Sequence, residues 1–205
     1  MGHHSPWRRD REGLFGRVLP CLGFALLLAG LVAGCTVKKF AELRPGLEAR
    51  GFYIEGVPFY QQREAACGPA ALASILDFRG RPESLERITE KIYLPKLHVT
   101  LPIDMENFAR EAGFKTESYR GSFGELKARI RKGIPVICML DLGFGFDHKP
   151  CYISVIGYDD VNEVFIAHDG LEPNSVIEYK QFNKKWVRAN YWMLVIEPKS
   201  GKALK

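Results

Sequence analysis

Residues 57–76 read VPFYQQREAACGPAALASIL, and this stretch decides the fold because it places a thiol where an apolar, alanine-rich helix begins. The helix is predicted to run from Cys67 to Phe78, and Gly80 and Pro82 end it. Backbone N–H groups at a helix start have no partner inside the helix, and with the helix dipole they stabilise an anion. The sequence therefore predicts a nucleophilic cysteine at position 67.

The remaining chain shows helical patterns first and strand patterns second. A capping box at Ser122 and Glu125 marks the start of the last predicted helix, and Gly133 its end. This order predicts an α+β domain in which N-terminal helices pack on a C-terminal antiparallel sheet. Further helices are predicted over 84–93, 103–112 and 122–132, and strands over 57–60, 114–119, 135–142, 151–158, 164–167, 176–179 and 191–196.

The first 35 residues carry the regions of a secretory signal peptide in order. Four arginines between residues 8 and 17 precede an apolar run over 19–32, and the small residues Ala33 and Gly34 precede Cys35. The sequence VAGC resembles a bacterial lipobox, in which cleavage leaves a lipidated Cys35 at the new N-terminus. An uncleaved N-terminal membrane anchor is the alternative. Both interpretations predict an exported protein held on a bacterial membrane, facing the periplasm or the cell exterior.

These boundaries predict four segments: a signal peptide over 1–34, a tether over 35–50, one domain over 51–198 and a disordered tail over 199–205. Of the 29 basic and 24 acidic residues, four and two lie in the leader, which leaves the mature chain a net charge of +3. Basic and acidic residues alternate rather than cluster, so no nucleic-acid partner is expected.

Four stretches, VPFYQQREAACGPAALASIL, CYISVIGYDD, VFIAHDG and FNKKWVRANYWMLVIEP, together resemble the bacteriocin-processing (double-glycine leader) cysteine peptidase family. The likeness is to its free-standing, exported members and covers most of residues 51–198. It implies a papain-like fold, a peptide or protein substrate, no cofactor and Cys67 as nucleophile. It also implies an oxyanion-hole glutamine before the nucleophile. Gln61 and Gln62 both fit its spacing, and Gln62 is slightly favoured because it follows VPFY.

The sequence departs from this family at the catalytic base. The family's histidine begins the strand before Gly-Tyr-Asp, and counting back from Gly157 puts that position at Cys151. The third catalytic position falls on Asp169, which could equally be an ordinary turn aspartate. Cys138, inside an apolar run, is expected to be a structural thiol.

Two histidines could replace the missing base. His148 lies in the glycine-rich loop GFGFDHKP, three residues before Cys151, and His168 lies on the following strand. Strand alternation prevents His168 and Asp169 from facing one site without a bulge. His98 is expected to be a surface residue.

Two functions follow from position 151. One is a peptidase that cuts a peptide through Cys67; the other is a catalytically impaired relative that binds a peptide or protein in the same cleft, with Cys67 and Cys151 possible disulfide partners. A metal site ranks third, because the Cys and His spacings match no zinc motif, and no metal is expected.

Replacing Cys35 by alanine is expected to release or mislocalise the protein, because that change removes the lipid-bearing side chain. Membrane fractionation and the mass of the mature chain measure this. An unchanged membrane partition together with an unchanged mature mass would contradict lipidation at Cys35.

Overall fold

The structure, a computed structural model of the chain, describes residues 39–62 and 66–199. The predicted signal peptide, the lipidation site Cys35 and residues 200–205 lie outside the described residues. Within the described parts of the chain, no helix is both long enough and apolar enough to cross a membrane.

One antiparallel sheet of seven strands organises the domain. Six strands follow the order β4-β9-β5-β6-β7-β8, and β1 also pairs with the far end of β6. A bulge interrupts the β6–β7 pairing between Val155 and Gly157. The strands are β1 (Gly51–Tyr53), β4 (Phe114–Arg120), β5 (Val136–Asp141), β6 (Pro150–Asp159), β7 (Val164–His168), β8 (Ser175–Glu178) and β9 (Trp192–Pro198); a separate two-stranded ribbon consists of β2 (Tyr93–Leu94) and β3 (Val99–Thr100).

The combination of helices with an antiparallel sheet confirms the α+β prediction, and the described residues contain two α-helices that were not predicted. The four predicted helices are α2 (Cys67–Phe78), α3 (Leu85–Ile92), α4 (Pro102–Glu111) and α5 (Phe123–Arg131), and the two added helices are α1 (Phe40–Leu43) and α6 (Tyr179–Arg188). The predicted bounds of α2 are those observed. The Oγ of Ser122 accepts the N–H of Glu125 at the start of α5, as its capping box predicts.

Two apolar cores cover the two faces of the sheet. One core combines side chains of α2, α3 and α4 with β6 and β9, and it contains both Cys67 and Cys151. The other combines α5 and α6 with the opposite sheet face and buries Phe182 and Trp186 completely. The fold is therefore a sheet between two helical layers, and Cys67 on α2 and Cys151 on β6 meet in the first of the two cores.

Part of the predicted tether belongs to the folded unit. Leu43 and Leu47 are buried, and Leu47 lies in the core beneath α5 and α6. The Nε of Arg50 donates to the buried carboxylate of Asp159 at 3.0 Å. The compact structure thus begins at about Phe40 rather than at Gly51, and residues 40–50 do not form a free spacer.

The strand predicted for residues 57–60 does not form. Pro58 has no N–H to donate, and the Oγ of Ser74 donates to its carbonyl at 2.6 Å. The carbonyl of Val57 accepts instead from a histidine ring. Residues 57–60, which we call the crossing segment, are therefore held by hydrogen bonds from side chains and not by pairing with a strand. The strand that forms nearby is Gly51–Tyr53.

Candidate active site

Cys67 is the first residue of α2 and is only 5 % exposed. Ala66, at the N-cap, provides no side-chain hydrogen bond, so the backbone N–H groups at the helix start are left to stabilise charge on the thiol. A β-carbon on Gly68 would lie 2.8 Å from the side chain of Thr100. Glycine at position 68 therefore lets the start of α2 approach β3 closely.

The Sγ of Cys67 lies against the beginning of β6. The backbone N–H of Tyr152 donates to this sulfur at 3.1 Å. The hydrogen bond from Cys151 is the main cause that lowers the pKa of Cys67; burial opposes it, and the N–H groups of Tyr152, Cys67 and Gly68 lower the pKa further. The structure thus brings Cys151 to the nucleophile, at the position where the resemblance implies a base.

Cys151 has the opposite tendency. Its hydrogen bond to Cys67 raises its pKa first, and burial and the negative charges of Cys67 and Asp169 raise it further. Of the two neighbours, Cys67 is therefore the thiol that ionises more readily, and the Sγ of Cys151 donates to the carbonyl of Tyr152 at 3.8 Å. Both thiols are free.

Asp169 follows β7 and forms a turn. Its Oδ1 accepts the N–H groups of Leu171 and Glu172 at 2.8 and 2.7 Å, and its Oδ2 accepts from the hydroxyl of Ser175 at 2.7 Å. Its charge still acts on Cys151. Asp169 is thus a turn aspartate whose negative charge acts on Cys151. The catalytic role that the family resemblance implies for it stays a prediction.

The two glutamines differ in their surroundings. The backbone N–H of Gln62 donates to the carbonyl of Gly170 at 2.8 Å, and its buried Oε1 has no hydrogen-bond partner. Gly170 has a φ of +84°, and a β-carbon there would lie 3.0 Å from that oxygen. Gln61 is exposed. Gln62 is therefore the glutamine that packs beside the residue following Asp169.

His168 does not reach the thiols. Its Nε2 donates to the carbonyl of Val57 at 2.9 Å, and its Nδ1 accepts the N–H of Asn174 at 3.2 Å. These partners fix the neutral tautomer, and burial lowers the pKa of the ring. His168 is therefore a structural residue that ties the crossing segment to the end of β7, and it does not replace the base.

His148 lies in the loop between β5 and β6 and is bound to a carboxylate there. Its Nδ1 is 2.6 Å from the Oδ2 of Asp141, a buried carboxylate that also accepts from the Nε of Arg188 at 3.0 Å. The backbone N–H groups of Gly143 and Lys149 donate to the other oxygen. The structure pairs His148 with Asp141 and does not bring it to Cys67.

The remaining described histidine, His98, is exposed and lies 3.3 Å from the hydroxyl of Tyr93. Among the described residues, every histidine is thus bound away from Cys67. No group of three or more His, Cys, Asp and Glu side chains in this part of the chain is arranged to hold a metal ion.

A groove of about 790 Å³ begins beside the glutamines and opens to solvent. It runs between the crossing segment and the start of α3, and its walls include the carboxylates of Glu83 and Glu86. The groove is large enough to accommodate several residues of an extended chain. Its lining residues are Phe59, Tyr60, Gln61, Gln62, Pro82, Glu83, Ser84, Leu85 and Glu86.

The model of the Peptidase_C39 like family matches residues 54–194, which is more than half of the chain. The chain belongs to this family. The match confirms the resemblance to bacteriocin-processing peptidases and the papain-like fold. No curated protein matches the sequence.

Three solved structures share the fold of this C39-like domain. A C39-like peptidase from Bacillus anthracis is 16 % identical, with a TM-score of 0.62, over 73 % of this chain and 98 % of that one. The peptidase domain of Streptococcus ComA, a transporter involved in quorum sensing, is 19 % identical, with a TM-score of 0.54, over 70 % and 100 %. A double-glycine motif protease from an AMS/PCAT transporter, solved with a leader peptide, is 18 % identical, with a TM-score of 0.57, over 72 % and 95 %.

Two features of the C39-like site were not predicted from the sequence. The backbone N–H of Tyr152 binds the nucleophile, and the hydroxyl of Tyr152 donates to the carbonyl of Thr100 at 2.9 Å. Asp141 collects four donors at the end of β5. A buried carboxylate directly after an apolar strand is a sequence signal for such a centre, although the pattern does not name its partners.

Cys67 is expected to react with iodoacetamide at least about tenfold faster than Cys138 or Cys151 in the reduced protein, because only its thiolate is stabilised. Cys138 is fully buried, which raises its pKa, and it is the matched control. Limited labelling followed by peptide mass mapping gives the three rates. Faster labelling of Cys138 or Cys151 would place the nucleophile elsewhere.

The stability of the C39-like domain is expected to fall below pH 6.5 because of His168. Burial holds its folded pKa below the unfolded value of about 6.5, so its contribution is present above that pH and is lost as pH falls through the folded pKa. One such proton changes the unfolding free energy by at most about 1.4 kcal/mol per pH unit.

Urea unfolding at pH 7.5 and 5.5 measures this effect. His168→Asn is expected to lower stability at pH 7.5 by about 1–3 kcal/mol, because buried partners lose their bonds, and to show a smaller drop between the two pH values. His98→Asn, at an exposed residue, should keep the parental drop. Equal drops in the parent and His168→Asn would mean that this ring does not titrate with unfolding.

Proposed function

We propose that this protein is an exported, membrane-anchored lipoprotein whose C39-like domain binds a peptide segment and whose hydrolysis of peptide bonds through Cys67 is impaired. One observation carries the proposal: the sulfur of Cys67 lies against the start of β6, in the same apolar core as Cys151, while each described histidine is hydrogen-bonded elsewhere. The lipid at Cys35 and the location outside the cytoplasm follow from the leader and are part of this proposal.

The loss of the base affects the two steps of hydrolysis unequally. A histidine beside a cysteine lowers the pKa of the thiol and later protonates the leaving amine. The helix start and the Tyr152 N–H supply part of the first effect. Nothing at Cys151 supplies the second, because a thiol with a raised pKa is a poor acid near neutral pH. A positioned acid–base group contributes roughly 10²–10⁴ in rate, and this factor is the expected deficit.

Peptide binding does not depend on that base. The groove beside Gln62 is open, and the fold is that of a protease solved with its leader peptide. An extended peptide in this groove would lie beside Gln62, five residues before Cys67 in the chain. The partner proposed for the cleft is therefore a peptide or an extended segment of a protein.

An active peptidase is the second candidate, and one observation favours it. Asp141 binds the Nδ1 of His148, which leaves the Nε2 of an exposed ring available, as in the base–carboxylate pairs of cysteine and serine peptidases. The loop contains Gly143 and Gly145, and a rearrangement there could carry the ring toward Cys67. Ordering such a loop costs roughly 1–2 kcal/mol per residue fixed, which favours the first candidate.

Cys151→His is expected to create or raise Cys67-dependent hydrolysis of a quenched-fluorescent peptide library by up to roughly 10²–10⁴, because it restores a base held by the sheet. The double variant Cys67→Ala/Cys151→His is the matched control and should be inactive. A second readout needs no substrate: an imidazolium beside the thiol should extend alkylation of Cys67 to lower pH.

Strong hydrolysis by the parent protein, lost in Cys67→Ala and unchanged in Cys151→Ala, would overturn the impaired-enzyme proposal. His148→Ala then distinguishes the second candidate, because that candidate alone requires the loop histidine. An unchanged pH dependence of Cys67 alkylation in Cys151→His would show that position 151 does not serve the nucleophile.

A further inference from the structure

We propose that Cys67 and Cys151 form a redox-active dithiol that exchanges with disulfides, with Cys67 as the attacking thiol and Cys151 as the resolving thiol. This inference rests on the proposed function in one respect, since it uses the same cleft and an exported protein. It assigns the pair a chemistry that needs no base. The co-reactant is a disulfide, either small, such as oxidised glutathione, or carried on an extended peptide.

The backbone brings the two sulfurs within bonding reach. The Sγ of Cys67 lies 3.1 Å from the N of Tyr152, and covalent geometry puts the Cα of Cys151 about 2.4 Å from that same N. The Cys67 sulfur therefore lies at most about 5.5 Å from the Cys151 Cα, and small adjustments of both side chains bring the two sulfurs to bonding distance. The two side chains also lie in the same apolar core.

The surroundings give the two thiols different roles. The start of α2 and the Tyr152 N–H stabilise negative charge at Cys67. At Cys151 the backbone of Tyr152 favours ionisation less than burial and the charges of Cys67 and Asp169 oppose it. An attacking thiol must be partly ionised, whereas a resolving thiol must stay protonated until the first step has occurred. The structure places one of each side by side.

The first step also activates the second. The hydrogen bond to Cys67 is the largest cause of the raised pKa of Cys151, and the charge on Cys67 adds to it. Once Cys67 is bonded to another sulfur, it carries no charge. Both causes then disappear, and the pKa of Cys151 falls, while burial still holds it above its ordinary range. Cys151 is therefore held unreactive in the reduced pair and released in the mixed disulfide.

The reaction balances without another reagent. The Cys67 thiolate attacks one sulfur of R–S–S–R′, which forms the Cys67–S–S–R bond, breaks the original S–S bond and releases R′–S⁻. Cys151 then loses its proton to water and attacks the Cys67 sulfur, which forms the Cys67–Cys151 disulfide and releases R–S⁻. The two protein thiols are oxidised by two electrons, and the substrate disulfide is reduced to two thiols.

The third domain thiol is excluded from this exchange. Cys138 is fully buried, and burial raises its pKa. It lies in the core on the opposite face of the sheet from Cys67. It is therefore an internal control for nonspecific oxidation. The exposed fractions of Cys67 and Cys151 are only 5 % and 8 %, so the cleft should favour slender disulfides over bulky ones.

The test equilibrates the full-length mature protein in buffers of oxidised and reduced glutathione, quenches it with acid and maps the cysteine peptides by mass spectrometry. The parent is expected to give a Cys67–Cys151 linked peptide and little glutathione on either residue. Cys151→Ala is expected to accumulate the Cys67–glutathione adduct to roughly tenfold more than the parent, because no thiol resolves it. Cys67→Ala should leave Cys151 unmodified.

Three results would overturn the dithiol. The first is the absence of a Cys67–Cys151 linked peptide from the parent protein in oxidising buffer. The second is an equal amount of the glutathione adduct in the parent and in Cys151→Ala. The third is faster modification of Cys151 than of Cys67. Thermal unfolding of each variant verifies that it is folded. The time course of the parent protein gives an independent readout, since its Cys67–glutathione adduct must rise and then decay as Cys151 resolves it. Peptide hydrolysis is not measured here, so a failed dithiol leaves the proposed function intact, and an active parent peptidase would not remove the linked peptide.

Discussion

The contact between the start of α2 and the start of β6 is the constraint on which the site depends. The sulfur of Cys67 accepts the N–H of Tyr152, and Gly68 removes the β-carbon that would collide with Thr100. A nucleophile at a helix start is useful only if the facing strand presents its partner at a fixed register. Here residue 151 pairs with Leu140 of the neighbouring strand β5, so it cannot move away from Cys67 without disturbing the sheet.

The sequence predicted the fold wherever a local pattern determines the structure. The helix over Cys67–Phe78 has its apolar face and its stop signals in one short stretch, and the strands near it have strong apolar runs. The helix over Tyr179–Arg188 was missed because polar and basic residues dominate it and only Phe182 and Trp186 are buried. Leu47 was missed for a related reason, because a single buried leucine in a charged segment produces no periodic pattern of apolar residues.

The sequence also led to the two thiols and Asp169 as predicted site positions, because these positions follow from counting along one family pattern, and their catalytic roles stay predictions. It could not decide between the histidines. His168 is held by the carbonyl of Val57 and the N–H of Asn174, and His148 by the carboxylate of Asp141. Each of these partners is fixed by tertiary packing or loop geometry rather than by a sequence period. Gln62 was separated from Gln61 only by its contact with Gly170.

Peptide hydrolysis and disulfide exchange at Cys67 differ in what their leaving groups need. Breaking a peptide bond expels an amine that must be protonated, and the only neighbour of Cys67 able to donate is a thiol with a raised pKa. Breaking a disulfide expels a thiolate, which is stable in water without a proton. The same pair of side chains is therefore poor at the first reaction and well suited to the second. A buried pair of thiols also carries a single negative charge, whereas a cysteine–histidine ion pair buries two opposite charges. Removing the second charge from water costs on the order of several kcal/mol. The apolar surroundings of Cys151 are consistent with the pair that carries less charge.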